Sequence, residues 1–404
     1  MSFDALSWRR QFPLLASHPQ LHYLDSAATS QICRAAFDAA GLHELGRRAN
    51  VLRGTYRLAE MADAAYEGAR RQVAAYLNAG SADEVVFTSG ATASINLVAH
   101  AFGEGLQPGD EVALSLAEHH SNFVPWQMLR ARRGITLRFL PLDADGRIDL
   151  SRLEQAVTPR CRLVAVTQAS NVTGAVTDLA PLVAAARAVG ARVLVDGAQA
   201  AQHGPVDVAA LGCDFYAFSG HKTFAPNGVG VLWGRAAELE RLPPFLGGGG
   251  MIGRVTAADT TWAPPPRRFE AGTPPIAQAV GLGAALDWLR QQPWPEMRSH
   301  GEGLLARLLD GLEALPGLTL LGPRQPGHRL PLVSFSFAGI HPHDACQVLD
   351  QHGVAVRGGH HCAQPLMDHF GVTAAVRASL APYNTEEDVA ALLAGLEDVV
   401  RRLS

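Results

Sequence analysis

Between residues 85 and 233 the chain repeats one pattern: a short apolar run, a turn, then a stretch with apolar residues at helical spacing. The runs fall at 85–88, 111–116, 136–140, 163–167, 192–195, 215–219 and 228–233. Several are apolar throughout instead of alternating, as expected of strands covered on both faces. The stretches at 93–102, 122–133 and 180–189 read as helices, the last closed by Gly190. Strands alternating with helices predict an α/β fold: a mainly parallel sheet with helices on both faces.

From about residue 296 the pattern changes. A helix at 298–315 precedes an alternating run at 332–337, a helix at 343–353, a short apolar run at 354–357 and a closing helix at 386–403. Thr385-Glu-Glu-Asp388 reads as a capping box for that last helix. This is a smaller α+β module. The expected division is a large domain over 21–290 and a small one made of 1–20 and 291–404, within the domain number that 404 residues allow. The run at 276–289 contains Gln278 and Asp287, is too short to span a bilayer, and reads as a buried helix.

Charge and cysteine content narrow the function. A formal net charge of −4 predicts no attraction to nucleic acid or to an anionic membrane. The 5 cysteines are odd in number and scattered, which is no disulfide framework and points to a reducing, cytoplasmic setting. Residues 1–15 carry Asp4, Arg9 and Arg10 without a long apolar run, so no signal peptide is expected there.

The candidate chemistry sits at the ends of the predicted strands. Ser219-Gly-His-Lys222 follows one of them, in a chain with very few lysines among its 34 Lys+Arg. A lysine desolvated at a strand end becomes a nucleophile, and pyridoxal phosphate (PLP) needs such a lysine for its Schiff base; the plainer reading is a surface lysine. Asp196 ends another strand, where it can pair with a pyridinium N–H or cap the next helix. Thr88-Ser-Gly-Ala-Thr92 joins strand to helix, a place that suits phosphate. The histidines of Glu118-His-His120 can stack on an aromatic cofactor, bind metal or be loop residues. Metal is the weakest of these, since adjacent residues do not share a helix face. In Arg357-Gly-Gly-His-His-Cys362 the positive neighbours favour a thiolate nucleophile. The other four cysteines lie in apolar patterns and read as core. Arg377, among small residues, fits a substrate carboxylate or a structural ion pair.

Together these segments resemble the class-V aminotransferase family of PLP enzymes, and within it the group II cysteine desulfurases, which are selenocysteine lyase-like. Tyr23-Leu-Asp-Ser-Ala-Ala28, Ser170-Asn-Val-Thr-Gly174, Val195-Asp-Gly-Ala-Gln199, Glu270-Ala-Gly-Thr-Pro274 and Arg377-Ala-Ser379 complete the resemblance, which runs along nearly the whole chain. Gly-His-His-Cys362-Ala-Gln-Pro-Leu narrows it to the desulfurases. The resemblance implies the type I fold of PLP-dependent transferases, with a seven-stranded mainly parallel sheet in the large domain. It implies Lys222 as the Schiff-base lysine and α-proton base, Asp196 on the pyridine nitrogen, Gln199 on the phenolic oxygen and His119 on the ring. Phosphate would be held by the Ala91 backbone, Thr92, Ser219 and His221, with Thr273 reaching in from the second subunit of a homodimer. Asn171 would meet cofactor and substrate, Arg357 and Arg377 the substrate, and Cys362 would take the sulfur of L-cysteine as a persulfide and pass it to an acceptor protein, as in iron–sulfur cluster assembly. L-Alanine is then the other product, L-selenocysteine and L-cysteine sulfinate are alternative substrates, and no metal is expected.

Two positions depart from the family. Leu52 in Asn50-Val-Leu-Arg53 stands where a histidine is common, and Ala93 where a glutamate is common. Other readings are a different PLP enzyme of this fold, an aminotransferase or kynureninase-like hydrolase, and a non-catalytic PLP-binding scaffold. The first would keep Lys222 and Asp196 but gives no reason for the segment ending in Cys362.

Overall fold

The computed structural model describes residues 3–403. A two-residue strand, β1 (His22–Tyr23), leads into the large sheet. This is built from β2 (Val85–Thr88), β3 (Glu111–Ser115), β4 (Thr136–Leu140), β5 (Cys161–Thr167), β6 (Arg192–Asp196), β7 (Phe215–Ser219) and β8 (Gly230–Gly234). Their order is β2-β8-β7-β6-β5-β3-β4, and only β8 runs against its neighbours. All seven expected strands are present. The reason for their unbroken apolar character is visible in two cores. Val164, Val166, Val193 and Val195 point into one, while Leu163, Ala165 and Leu194 point into the other, on the opposite face of the sheet.

A hairpin of β9 (Ile252–Val255) and β10 (Thr260–Trp262) follows, which the sequence reading passes over. The C-terminal module has β11 (Leu318–Leu321), β12 (Leu332–Phe337), β13 (Val354–Ala355), β14 (Arg357–Gly359) and β15 (Ala375–Ser379). Four of them form an antiparallel sheet ordered β11-β12-β15-β14, while β13 pairs with β1. The helices Trp294–Glu313, Pro342–Gln351 and Glu386–Leu403 cover one face of that sheet through Leu305, Leu308, Leu349 and Leu392. The expected single run at 354–357 is therefore two short strands in different sheets. Half of the expected capping box forms: Asp388 accepts from the Thr385 N–H at 2.9 Å, but the Thr385 hydroxyl turns to Glu387.

The N-terminal segment packs into the core of the large sheet through Trp8, Phe12 and Leu15. Trp8 packs on Trp288, Phe224 and Tyr383 with ring centroids 5.1, 5.4 and 6.1 Å away. Arg9 donates to the carbonyls of Leu21 and Tyr383.

Candidate active site

A cavity of about 300 Å³ opens at the C-terminal ends of the parallel strands, where α/β sheets bind their ligands. Each strand delivers one group because the strand stops there. β6 ends on Asp196. β7 ends on Ser219 and turns through one helical turn, Gly220–Lys222. β2 ends on Thr88 and turns at Gly90 into the helix Ala91–Ala101. That turn lies against β8: a Cβ on Gly230 would come within 2.3 Å of the Gly90 Cα, so glycine is required for the approach. The Ser219 hydroxyl accepts from the Ala91 N–H at 2.8 Å, and the Thr92 hydroxyl lies 2.7 Å from that of Ser121. Gln199 donates to the Ala27 carbonyl at 2.9 Å, and His221 Nδ1 lies 3.4 Å from the Thr29 hydroxyl.

Lys222 is the only lysine in the chain. Burial, reinforced by Arg377, pushes its ammonium down to about 8, with Asp196 pulling the other way. A lysine in that state is a usable nucleophile and base near neutral pH. Burial raises the Asp196 carboxyl; the Ala198 N–H, 2.9 Å away, and Lys222 oppose it. Burial and then Lys222 take the His119 imidazole down to about 3, so the ring is neutral. Its Nδ1 accepts from the Ser121 N–H at 3.1 Å, which fixes the ring's orientation. Behind His119, burial pushes the Glu118 carboxyl up to about 8, against the donors Ser115 and Asn122 at 2.6 and 2.7 Å.

The opposite wall comes from the small module. Cys362 is exposed and lies in the same cavity as Lys222. His361 and Cys362 are consecutive non-glycine residues in the left-handed region, at φ 51° and 54°. The surroundings hold this strained turn. Asn171 donates to the His361 carbonyl at 2.7 Å, the His120 N–H to the Cys362 carbonyl at 2.7 Å, and the Cys362 N–H to His360 Nδ1 at 3.0 Å. Arg377 donates to the Asn171 carbonyl at 2.9 Å and to Asp25 at 3.2 Å, and Arg357 reaches the same Asp25 at 3.1 Å. Arg377 thus makes a structural ion pair, and it also lines the cavity.

The fold therefore gathers Ala91, Thr92, His119, Asn171, Asp196, Gln199, Ser219, His221, Lys222, Arg357, Cys362 and Arg377 at one cavity. It does not bring Thr273 there. Thr273 lines a separate depression with Leu52, Arg53 and Gly250. Cys33, Cys161 and Cys213 are buried, and burial raises their thiols to about 11, 11 and 12; Cys346 is half-buried. Among the described residues no cluster of His, Cys, Asp or Glu can hold a metal ion. The sequence reading missed Asp25, Glu118, Ser121, Thr167 and His361 as parts of the site. Asp25 and Glu118 stood inside quoted motifs, but nothing in their spacing gave them a role.

The donor set fits PLP. An imine-forming lysine, a buried carboxylate and a flat neutral imidazole meet beside a helix N-terminus and two hydroxyls. The Arg377 Nε–H is buried and has no partner among the described residues, which suits an incoming anion. The sequence profile of the class-V aminotransferases matches residues 22–392. A probable cysteine desulfurase of Streptomyces coelicolor is 46% identical over 98% of this chain and 97% of its own. The crystal structure of the cysteine desulfurase CsdA from Escherichia coli superposes with a TM-score of 0.92 at 42% identity, covering 100% of both chains. A C-DES mutant with glycine covalently linked to the PLP cofactor superposes at 0.82 with 28% identity, over 96% of this chain and 99% of its own.

Proposed function

The chain belongs to the class-V aminotransferase family, and on that premise we propose how its residues carry out the reaction. It is a PLP-dependent cysteine desulfurase, an enzyme that converts L-cysteine to L-alanine and takes off the sulfur. One observation carries this reading over its rivals: Lys222 and Cys362 open into a single cavity from the two different sheets. An aminotransferase needs the first and has no use for the second.

When bound, PLP supplies an electrophilic carbonyl and an electron sink. Lys222 is the amine that holds it and, once released, the base that removes the substrate α-proton. Its depressed basicity keeps a neutral fraction available. Asp196 would meet the pyridine nitrogen, Gln199 the phenolic oxygen and the neutral His119 imidazole the cofactor's ring. The Ala91 N–H, Thr92, Ser219 and His221 would hold the phosphate. Asn171, Arg357 and Arg377 orient the substrate carboxylate, Asn171 also bordering the cofactor. The Cys362 thiolate attacks the substrate sulfur; the S–S bond forms, the C–S bond breaks, and its electron pair stays with the carbon skeleton.

We also propose the division of the chain into 21–290 and 1–20 with 291–404. A homodimer is supported by Thr273 lining a depression other than its own chain's cavity and by exposed Phe37, Leu42, Leu45 and Tyr56. Transfer of the persulfide sulfur to an acceptor protein, for iron–sulfur assembly, is supported by the exposure of Cys362. A cytoplasmic setting is supported by five free cysteines. No helix among the described residues is long and apolar enough to cross a membrane. L-Selenocysteine and L-cysteine sulfinate are proposed as further substrates.

The test is to purify the holoenzyme, add L-cysteine with a reductant and quantify alanine and sulfide, with Cys362→Ser in parallel. Alanine and sulfide from the parent, lost in the variant, is the expected result. Undiminished products in the variant contradict the reading.

A further inference from the structure

Four histidines surround Cys362, and their hydrogen bonds separate them. His360 Nδ1, His120 Nε2 and His119 Nδ1 each accept from a backbone N–H, at 3.0, 3.2 and 3.1 Å. His361 is different. Its Nε2 lies 3.0 Å from the Ala375 carbonyl oxygen. A carbonyl only accepts, so Nε2 carries the hydrogen and Nδ1 is left as a bare lone pair. That Nδ1 is buried and has no partner among the described residues, although the residue is 7% exposed and lines the cavity. Burial, reinforced by Arg377, takes the ring down to about 3, so the lone pair stays unprotonated across the physiological range.

An unfilled buried acceptor calls for a donor, as the unfilled Arg377 Nε–H calls for an acceptor. L-Cysteine brings a carboxylate for the arginine and two donors, its α-ammonium and its S–H. The ammonium nitrogen is taken up on the Lys222 side. The sulfur has to lie next to Cys362, the residue that follows His361. We propose that His361 Nδ1 accepts a hydrogen bond from the thiol of bound L-cysteine and so selects a protonated sulfur against an anionic one.

This proposal rests on the desulfurase reading and adds the choice among its substrates. A weakly basic acceptor holds the S–H without removing the proton. The sulfur that Cys362 attacks then stays neutral and its hydrogen remains on the outer sulfur of the persulfide. L-Cysteine sulfinate has no hydrogen on sulfur and meets the lone pair with anionic oxygens. The ring stands on a strained turn at φ 51°, and left-handed backbone at a non-glycine position persists only where surroundings enforce it.

The experiment compares kcat/KM for L-cysteine and for L-cysteine sulfinate, both by alanine formation on holoenzyme. Glutamine carries its amide one carbon further out and leaves the place of Nδ1 without an acceptor, so His361→Gln is the first variant. The cysteine-to-sulfinate ratio is expected to fall about five- to tenfold, the size of one modest hydrogen bond. His361→Asn, which tolerates the left-handed conformation and whose amide oxygen stands on Cγ where Nδ1 stood, is expected to restore part of it. If His361→Gln does not fold, the same fall is required of His361→Leu. Equal losses on both substrates, or an unchanged ratio, overturn the proposal, because the two substrates share ammonium and carboxylate. A parent enzyme that forms no alanine from L-cysteine overturns the desulfurase reading instead.

Discussion

The two walls of the cavity are built in opposite ways. The lysine wall stands on the ends of parallel strands with both faces buried, and its groups are fixed by where each strand stops. The cysteine wall is a loop of the smaller sheet, with two successive left-handed residues and an exposed sulfur. The difference fits the proposed tasks. A cofactor that stays for every turnover needs a rigid frame, while sulfur that must leave needs an accessible carrier on a loop.

Four changes test that contrast. Lys222→Ala strikes the rigid wall at a residue with no substitute, since the chain has no second lysine. Turnover of every substrate is expected to fall at least about 10³-fold, and borohydride reduction in excess PLP should leave no pyridoxyl-lysine, where the parent gives one per chain. Cys362→Ser strikes the other wall. Alanine from L-cysteine is expected to fall at least about 100-fold, while cofactor absorbance and turnover of L-cysteine sulfinate persist. Equal loss on both substrates would erase the distinction between the walls.

Gly230→Ala forces a Cβ to within 2.3 Å of the Gly90 Cα, under the phosphate turn. The expected cost is about 1–3 kcal/mol of stability, read in denaturant melts, with weaker PLP retention. The last change is in pH, and it acts on stability. His119, His221 and His361 are held near 3, 4 and 3, against an ordinary value of 6.5. Between those values the unfolded chain binds more protons than the folded one, so stability falls as pH drops below about 6.5. Denaturant midpoints measured from pH 7 to 4 should decline, less steeply in His361→Gln.

The lysine wall was largely legible in the sequence. Buried strands announce themselves by unbroken apolar runs, and the residue after each run lies at the sheet's C-terminal edge. Asp196, Ser219 and Lys222 could be placed that way, and the resemblance supplied their roles. The cysteine wall was legible as a motif but not as a shape. The left-handed turn at His361 and Cys362 depends on bonds from Asn171 and His120, distant in sequence, and no local signal marks them. Asp25 was missed for the same reason. It is one carboxylate in an ordinary motif until the fold places Arg357 and Arg377 beside it. Thr273 needs a second chain to have a role at the cavity, and a single chain leaves it outside.

The most direct test of the central claim is a single-turnover experiment without reductant. Holoenzyme is mixed with L-cysteine, alanine is quantified, and the peptide carrying Cys362 is weighed. The account predicts one alanine per active chain and one added sulfur atom on Cys362, removable by a thiol. Alanine released with no sulfur on Cys362, or sulfur found on Cys346 instead, would contradict it.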